Sequence, residues 1–329
     1  MADLTTKYLG LTLKNPLIVG SSGLTDSVEM IKKIEQSGAA AVVLKSIFEE
    51  EILLEADITT EEAVKNGFTL EAFDYFDYKI KNDNLTKYIA LIRDVKAAVS
   101  IPVIASINCI SSHEWPYFAK KIAAAGPDAL ELNIFSLPTK LNKTASENEQ
   151  VYYDIVEKLK KEIDIPLALK ISYYSSNLGA QILNLSKAGI DGLVLFNRSF
   201  SPDFDIDKFT VTTSNVLSKA DELPISLRWV AIMSDRVKCD IAASTGVHDG
   251  EAMIKQLLAG ATAVQVVSTL YENGVGYIKT ILADLEKWMA RHDFQSLDDF
   301  RGKMSQKKSD DPALYERVQF MKYFRGQSV

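Results

Sequence analysis

Cysteine is nearly missing from this 329-residue chain: it has only Cys109 and Cys239, too few for a disulfide framework and in keeping with a reducing compartment. Metal-ligand spacing is missing too. No block of Lys and Arg occurs, and a net charge of −7 argues against a nucleic-acid backbone as the main partner. Nowhere do about 18 uncharged apolar residues follow one another, so no membrane span is expected. The start, MADLTTKYLG, lacks a basic stretch followed by an apolar run, and a cytoplasmic protein is expected. No linker, repeat or low-complexity stretch divides the chain, which reads as one domain over 1–329. The dinucleotide fingerprint GxGxxG does not follow the first strand, which disfavours a doubly wound open sheet.

What is present is 47% hydrophobic and 25% charged residues, ample material for a large core. Short β-branched runs recur: PLIVGSS (16–22), AAVVLKS (40–46), PVIASIN (102–108), ALELNI (129–134), PLALKIS (166–172), DGLVLFN (191–197), DIAAST (240–245) and AVQVVST (263–269). Amphipathic segments such as 27–38, 85–99, 112–126 and 249–260 lie between them. Near-continuous apolar strands imply a parallel sheet covered on both sides, and eight strand–helix units in about 250 residues predict a (β/α)8 TIM barrel. Residues 1–15 are expected to form a hairpin closing the barrel bottom, and 304–329 an extension with one more helix. The connection 47–83 is too long for a simple turn; it is read as a lid over the mouth or a surface excursion.

In a TIM barrel the chemistry sits where strands end. Those ends carry Ser22-Gly23, Lys45-Ser46, Asn108, Asn133, Lys170, Asn197, Thr245-Gly246 and Ser268-Thr269. Thr245-Gly246 before a helix starting near Asp249, together with Ser268-Thr269 closing the last strand, suits a phosphate, or else plain turn and cap chemistry. Lys45 and Lys170 interrupt apolar strands and need an anionic partner, either a barrel acid such as Glu131 or a charged ligand. Three strand-end asparagines suit a flat, heteroatom-rich ligand, although each alone could start a turn. Together the set fits flavin mononucleotide, FMN. His113 and His248 stand at helix starts and are read as surface or capping residues. Cys109 and Cys239 are read as small buried groups.

The segments LTLKNPLIVGSSG, VVLKS, LELN, LALK, STGVHDGEAMIKQLLAGATAVQVVSTLYENG and FQSLDDFRGK resemble those of the dihydroorotate dehydrogenase family, and the likeness runs from residue 4 to residue 303. It implies an FMN-containing barrel of the soluble class, a homodimer, and oxidation of dihydroorotate to orotate in pyrimidine biosynthesis. It assigns Ser22, Gly23, Lys45, Ser46, Asn108, Asn133, Lys170, Asn197, Thr245, Gly246, Ser268 and Thr269 to the cofactor, and Lys45, Asn133 and Asn197 to a small-molecule substrate. The substrate side departs from the family pattern: NIFSLPT replaces NLSCPN, Arg198 follows Asn197 where a small hydroxyl residue is usual, and the Asn-rich motif after strand 2 is missing. Counted forward from Asn133, the family's catalytic cysteine falls on Ser136; counted back from Pro138, it falls on Leu137. Ser136 is taken as the base, with Lys45 the other catalytic residue. The rival readings are an FMN enzyme for another dihydropyrimidine or enone, a lyase or aldolase using Lys170 as its amine, and an idle flavin binder.

Overall fold

The computed structural model describes residues 2–48, 70–108, 114–135, 137–198, 201–214 and 216–316, and their side chains except at 70–82 and 114. The chain enters through an antiparallel pair, β1 (Thr6–Tyr8) and β2 (Leu11–Leu13), with Tyr8 opposite Leu11. Both residues of the intervening turn are left-handed, Leu9 at φ 55° and Gly10 at φ 73°, a combination whose twist matches that of a hairpin. Leucine tolerates this backbone because Asp240 accepts its N–H at 2.8 Å and its side chain is buried.

The barrel elements follow in order: β3 (Leu17–Val19), α1 (Val28–Gln36), β4 (Ala41–Val43), β5 (Ile47–Phe48), α2 (Leu70–Ala98), β6 (Val103–Asn108), α3 (Glu114–Ala123) and β7 (Ala129–Asn133). Then come α4 (Ala145–Lys160), β8 (Leu167–Ile171), α5 (Leu178–Leu185), β9 (Gly192–Leu195), a hairpin of β10 (Pro202–Asp205) and β11 (Thr210–Thr213), and α6 (Leu223–Met233). The last are β12 (Asp240–Ala243), α7 (Gly250–Ala259), β13 (Ala263–Val266), α8 (Ser268–Asn273) and α9 (Ile278–Arg291). Strands β4, β3, β13, β12, β9, β8, β7 and β6 pair in that order, all parallel, and β4 also pairs with β6. That last pairing closes the ring, so the expected (β/α)8 barrel is what forms. The short β5 extends the second strand along β6.

Alternation along each strand divides the core in two. Leu17 and Val19 face the helices, packing with Ile31 and Ile34 of α1, whereas Ile18 points inward. The inward positions are small: Ala41, Ala129, Ala168, Ala242 and Ala263 surround Tyr8, Leu9 and Leu13 of the first hairpin. The alanines leave the space that the hairpin fills, and the expected bottom plug is thereby seen. The fit is closest at Gly192, where an added Cβ would lie 2.5 Å from Leu9 Cδ2. Gly192→Ala is therefore expected to lower stability by ~1–3 kcal/mol, the usual range for overpacking. Urea titration checks it, and an unchanged midpoint would show that Leu9 is not seated against β9.

Several expectations need correction. The helix foreseen over 85–99 begins at Leu70, so AFDYFDY (72–78) is helical rather than part of a loop. Of the proposed lid, 49–69 lies outside the described residues. Ser268-Thr269 do not close the last strand; they open α8. In the C-terminal extension, 306–308 and 312–315 are single 3₁₀ turns, and the further helix expected there falls beyond the described residues. The hairpin β10–β11 was not foreseen.

Candidate cofactor and substrate site at the barrel mouth

A cavity of about 530 Å³ opens over the C-terminal ends of β3, β8, β9, β12 and β13, within the ~300–1,000 Å³ usual for ligand sites. Its wall carries seven hydroxyl-bearing residues among those described, Ser21, Ser22, Ser218, Ser244, Thr245, Ser268 and Tyr271.

The loop after β12 forms one end of this cavity. Thr245 and Gly246 are both left-handed, at φ 75° and 78°. The Thr245 hydroxyl donates to Phe196 O at 3.1 Å, which holds a conformation that costs a β-branched residue energy. At Gly246 an added Cβ would lie 2.3 Å from Leu223 N, so only glycine fits. Ser218 reaches over from the loop before α6 and donates to Ser268 Oγ through both its N–H and its hydroxyl, each at 2.9 Å. Ser268, buried at the start of α8, is thus left with its own hydroxyl proton for another acceptor.

The expected helix start at Asp249 is present, but the Asp249 carboxylate caps it by accepting the Ala252 N–H at 2.8 Å. Donors to an anion here come from the 245–247 turn and Ser268 more than from α7. His248 does not cap: its Nε2 lies 3.4 Å from Ser218 Oγ and its Nδ1 3.3 Å from Glu272. Thr269 is fully buried and donates to His248 O at 2.8 Å, tying α8 to this loop rather than facing the cavity.

Lys170, in β8, forms the floor. It is 8% exposed, donates to Gln265 Oε1 at 3.0 Å and lies 3.8 Å from the Glu131 carboxylate, so the barrel acid suggested by the sequence is its partner. Gln265 Nε2 in turn donates to Glu131 Oε2 at 2.6 Å. Lys45 behaves differently. It lies beyond β4 and is exposed, so the expectation of a buried ammonium is wrong there; the strand stops two residues short of it.

On the other side of the rim, Ser46 is buried in a hydroxyl chain, 3.1 Å from Ser21 Oγ and 2.7 Å from Ser106 Oγ. Asn108 ends β6 and Asn133 ends β7. Asn197 Nδ2 donates to Asn133 Oδ1 at 2.6 Å, joining two of the three expected amides. Arg198 lines the cavity, donates to Val216 O at 2.6 Å and pairs with Glu222 at 3.3 Å. Ser22 caps the 3₁₀ turn Gly23–Thr25, and a Cβ on Gly23 would come 2.9 Å from Tyr271 Oη. Ser136, Cys109 and His113 lie outside the described residues; the neighbours of Ser136, Phe135 and Leu137, are exposed.

Gln265, Ser218 and Ser21 were missed from the sequence. Gln265 had a signal, since a buried amide within AVQVV raises the same question as a lysine within LALKIS. Ser218 sits in an irregular loop and had none.

The profile of the dihydroorotate dehydrogenase family matches residues 3–289. Curated relatives named dihydroorotate dehydrogenase B (NAD(+)), catalytic subunit, are similar along nearly their whole length. The one from Thermoplasma acidophilum is 28% identical, covering 92% of this chain and 99% of its own. Those from Methanocaldococcus jannaschii and Pyrococcus furiosus are each 26% identical, covering 86% and 90% of this chain and 92% and 97% of their own.

Proposed function

The chain belongs to the dihydroorotate dehydrogenase family, and from that premise we propose that it is an FMN-dependent oxidoreductase acting on a CH–CH bond beside a carbonyl, with dihydroorotate as the first substrate to consider. The observation that carries this reading is the buried Lys170 on the floor of a cavity whose far end combines the Gly246 turn with the Ser268 hydroxyl. A ligand with a phosphate at one end and a ring that gains negative charge at the other fits that donor set.

In this reading Thr245, Gly246 and Ser268 hold the phosphate, with Ser218 orienting Ser268 and Thr269 bracing the loop from behind. Ser22, Gly23, Lys45, Ser46, Asn108, Asn133, Lys170 and Asn197 surround the ring. When bound, FMN supplies a two-electron acceptor. Lys45, exposed on the rim, offers its ammonium to an anionic group of the substrate, while the Asn133–Asn197 pair orients its amide edges. Ser136, which follows β7 in the sequence, relays the substrate proton, its Oγ accepting it while its own hydroxyl proton passes to water or a neighbouring base. Lys170 is a poor Schiff-base amine because its Nζ is engaged by Gln265 Oε1 and lies beside the Glu131 carboxylate, which counts against the lyase reading.

A second reading, an FMN enzyme for another dihydropyrimidine or enone, is favoured by Arg198, whose guanidinium occupies the wall next to Asn197. A site built on amide hydrogen bonds discriminates by ~10⁴ or more when those partners are missing. On this second reading dihydroorotate reduces the flavin only weakly in an anaerobic titration. Rapid bleaching at micromolar dihydroorotate would show that the substituted loops serve equally well and would retire the second reading.

The relatives' designation as a catalytic subunit supports a partner subunit that carries electrons onward, alongside the homodimer implied by the family. Among the described residues no helix is long and apolar enough to cross a membrane, and a cytoplasmic location is proposed.

A further inference from the structure

We propose that Glu131 is a positioning residue that sets the charge presented by Lys170 to the cofactor, acting through the side-chain amide of Gln265. The inference rests on the flavin reading above and assigns this chain's own buried network a task within it.

An amide between an ammonium and a carboxylate has one workable orientation. Lys170 has only donors, so it needs the amide oxygen, and an ionised Glu131 has only acceptors, so it needs the amide nitrogen. The geometry is of that kind: Lys170 Nζ to Gln265 Oε1 at 3.0 Å, then Gln265 Nε2 to Glu131 Oε2 at 2.6 Å. All three side chains are buried, at 8%, 2% and 1% exposed. Gln265 and Lys170 both line the cavity, whereas Glu131 lies beneath them and does not. The network is therefore an oriented dipole with its positive end toward the ligand.

Glu131 is an expensive residue to keep there. Its Oε1 is buried and has no hydrogen-bond partner, and other inward positions on its own and neighbouring strands are Ile104, Ala129 and Ala168. An apolar residue would fill such a position without leaving a carboxylate oxygen unsatisfied. The compensation visible in the structure is the ammonium 3.8 Å away. Without Glu131 the Gln265 amide is free to turn its NH2 toward Lys170, a donor facing a donor, and the ammonium loses the acceptor and the counter-charge that hold it on the cavity floor. The reduced, anionic form of a bound flavin then loses its partner there.

The midpoint potential of bound FMN in Glu131→Gln tests this. The potential is expected to fall by ~30 mV or more, which is a tenfold change in the equilibrium constant of a two-electron couple. Gln265→Met, which cuts the link and leaves both charged groups in place, is expected to lower it in the same direction and provides the test should Glu131→Gln fail to fold. In a Lys170→Met background, adding Glu131→Gln is expected to produce no further fall. Flavin bound at an unchanged or raised potential in the single variants overturns the inference, as does a fall of equal size in the Lys170→Met background, because Glu131 would then act without Lys170. Wild-type protein that takes up no FMN would instead remove the reading on which the inference rests.

Discussion

Gly246→Ala is expected to lose bound flavin, with an affinity for FMN lower by ~10²-fold. Two penalties fall on the same residue. A Cβ at φ 78° brings the strain of a left-handed L-residue, ~1–2 kcal/mol. It also meets Leu223 N at 2.3 Å and Leu223 Cα at 2.6 Å, which are main-chain atoms at the start of α6. Such overlap typically costs ~1–3 kcal/mol. The turn can relieve it only by displacing Leu223 or by moving itself, and either shift rearranges the donors around Ser218 and Ser268. At about 1.4 kcal/mol per tenfold, the sum spans one to several decades of affinity. Fluorescence titration with FMN, alongside circular dichroism to verify the fold, measures the effect. A folded Gly246→Ala protein with wild-type affinity would place the phosphate elsewhere.

Ser136→Ala is expected to slow single-turnover flavin reduction by at least ~10²-fold, the scale of a positioned general base. The prediction comes from the family likeness around NIFSLPT and from the exposed rim position of its flanks, Phe135 and Leu137. Ser136→Cys separates a proton acceptor from a turn hydroxyl. A thiol titrates near ~8.5, within reach of neutral pH, whereas a serine hydroxyl needs a neighbouring base or a water chain. The cysteine variant should therefore keep its activity and show a pH profile displaced downward. If Ser136→Ala reduces the flavin at the wild-type rate, this residue takes no part in proton transfer and the loop has changed its task.

The barrel was legible because its strands are nearly all apolar and its helices periodic, so each run from LIV to AVQV could be placed within a few residues. The first hairpin was legible from alternation, with Thr6, Tyr8 and Leu13 buried and Lys7 and Thr12 exposed. The hairpin β10–β11 escaped because it buries almost nothing: Pro202, Asp203, Phe204 and all four residues of β11 are exposed, and a strand with no covered face leaves no periodic trace. Lys45 and Lys170 looked alike in VVLKS and LALKIS. What separates them is where each strand stops, at Val43 and at Ile171, and local sequence does not encode that. Pairing register decides it, and register depends on partners well outside the local run, such as Ile18 for Ala41, Val103 for Val42, Leu130 for Leu167 and Gly192 for Ala168. Gln265 shows the opposite case, a buried polar group whose meaning was available but whose partner, Glu131, is 134 residues distant.

The central claim is that the cavity over β3, β8, β9, β12 and β13 is a flavin site. The most direct measurement is the absorption spectrum of the purified protein, together with chromatography of whatever is released on denaturation, after incubation with FMN if the protein is first obtained colourless. The account predicts a flavin spectrum with about one FMN released per chain, as one phosphate-binding turn and one Lys170 floor per barrel require. Protein that remains colourless and releases no FMN after such incubation would contradict it.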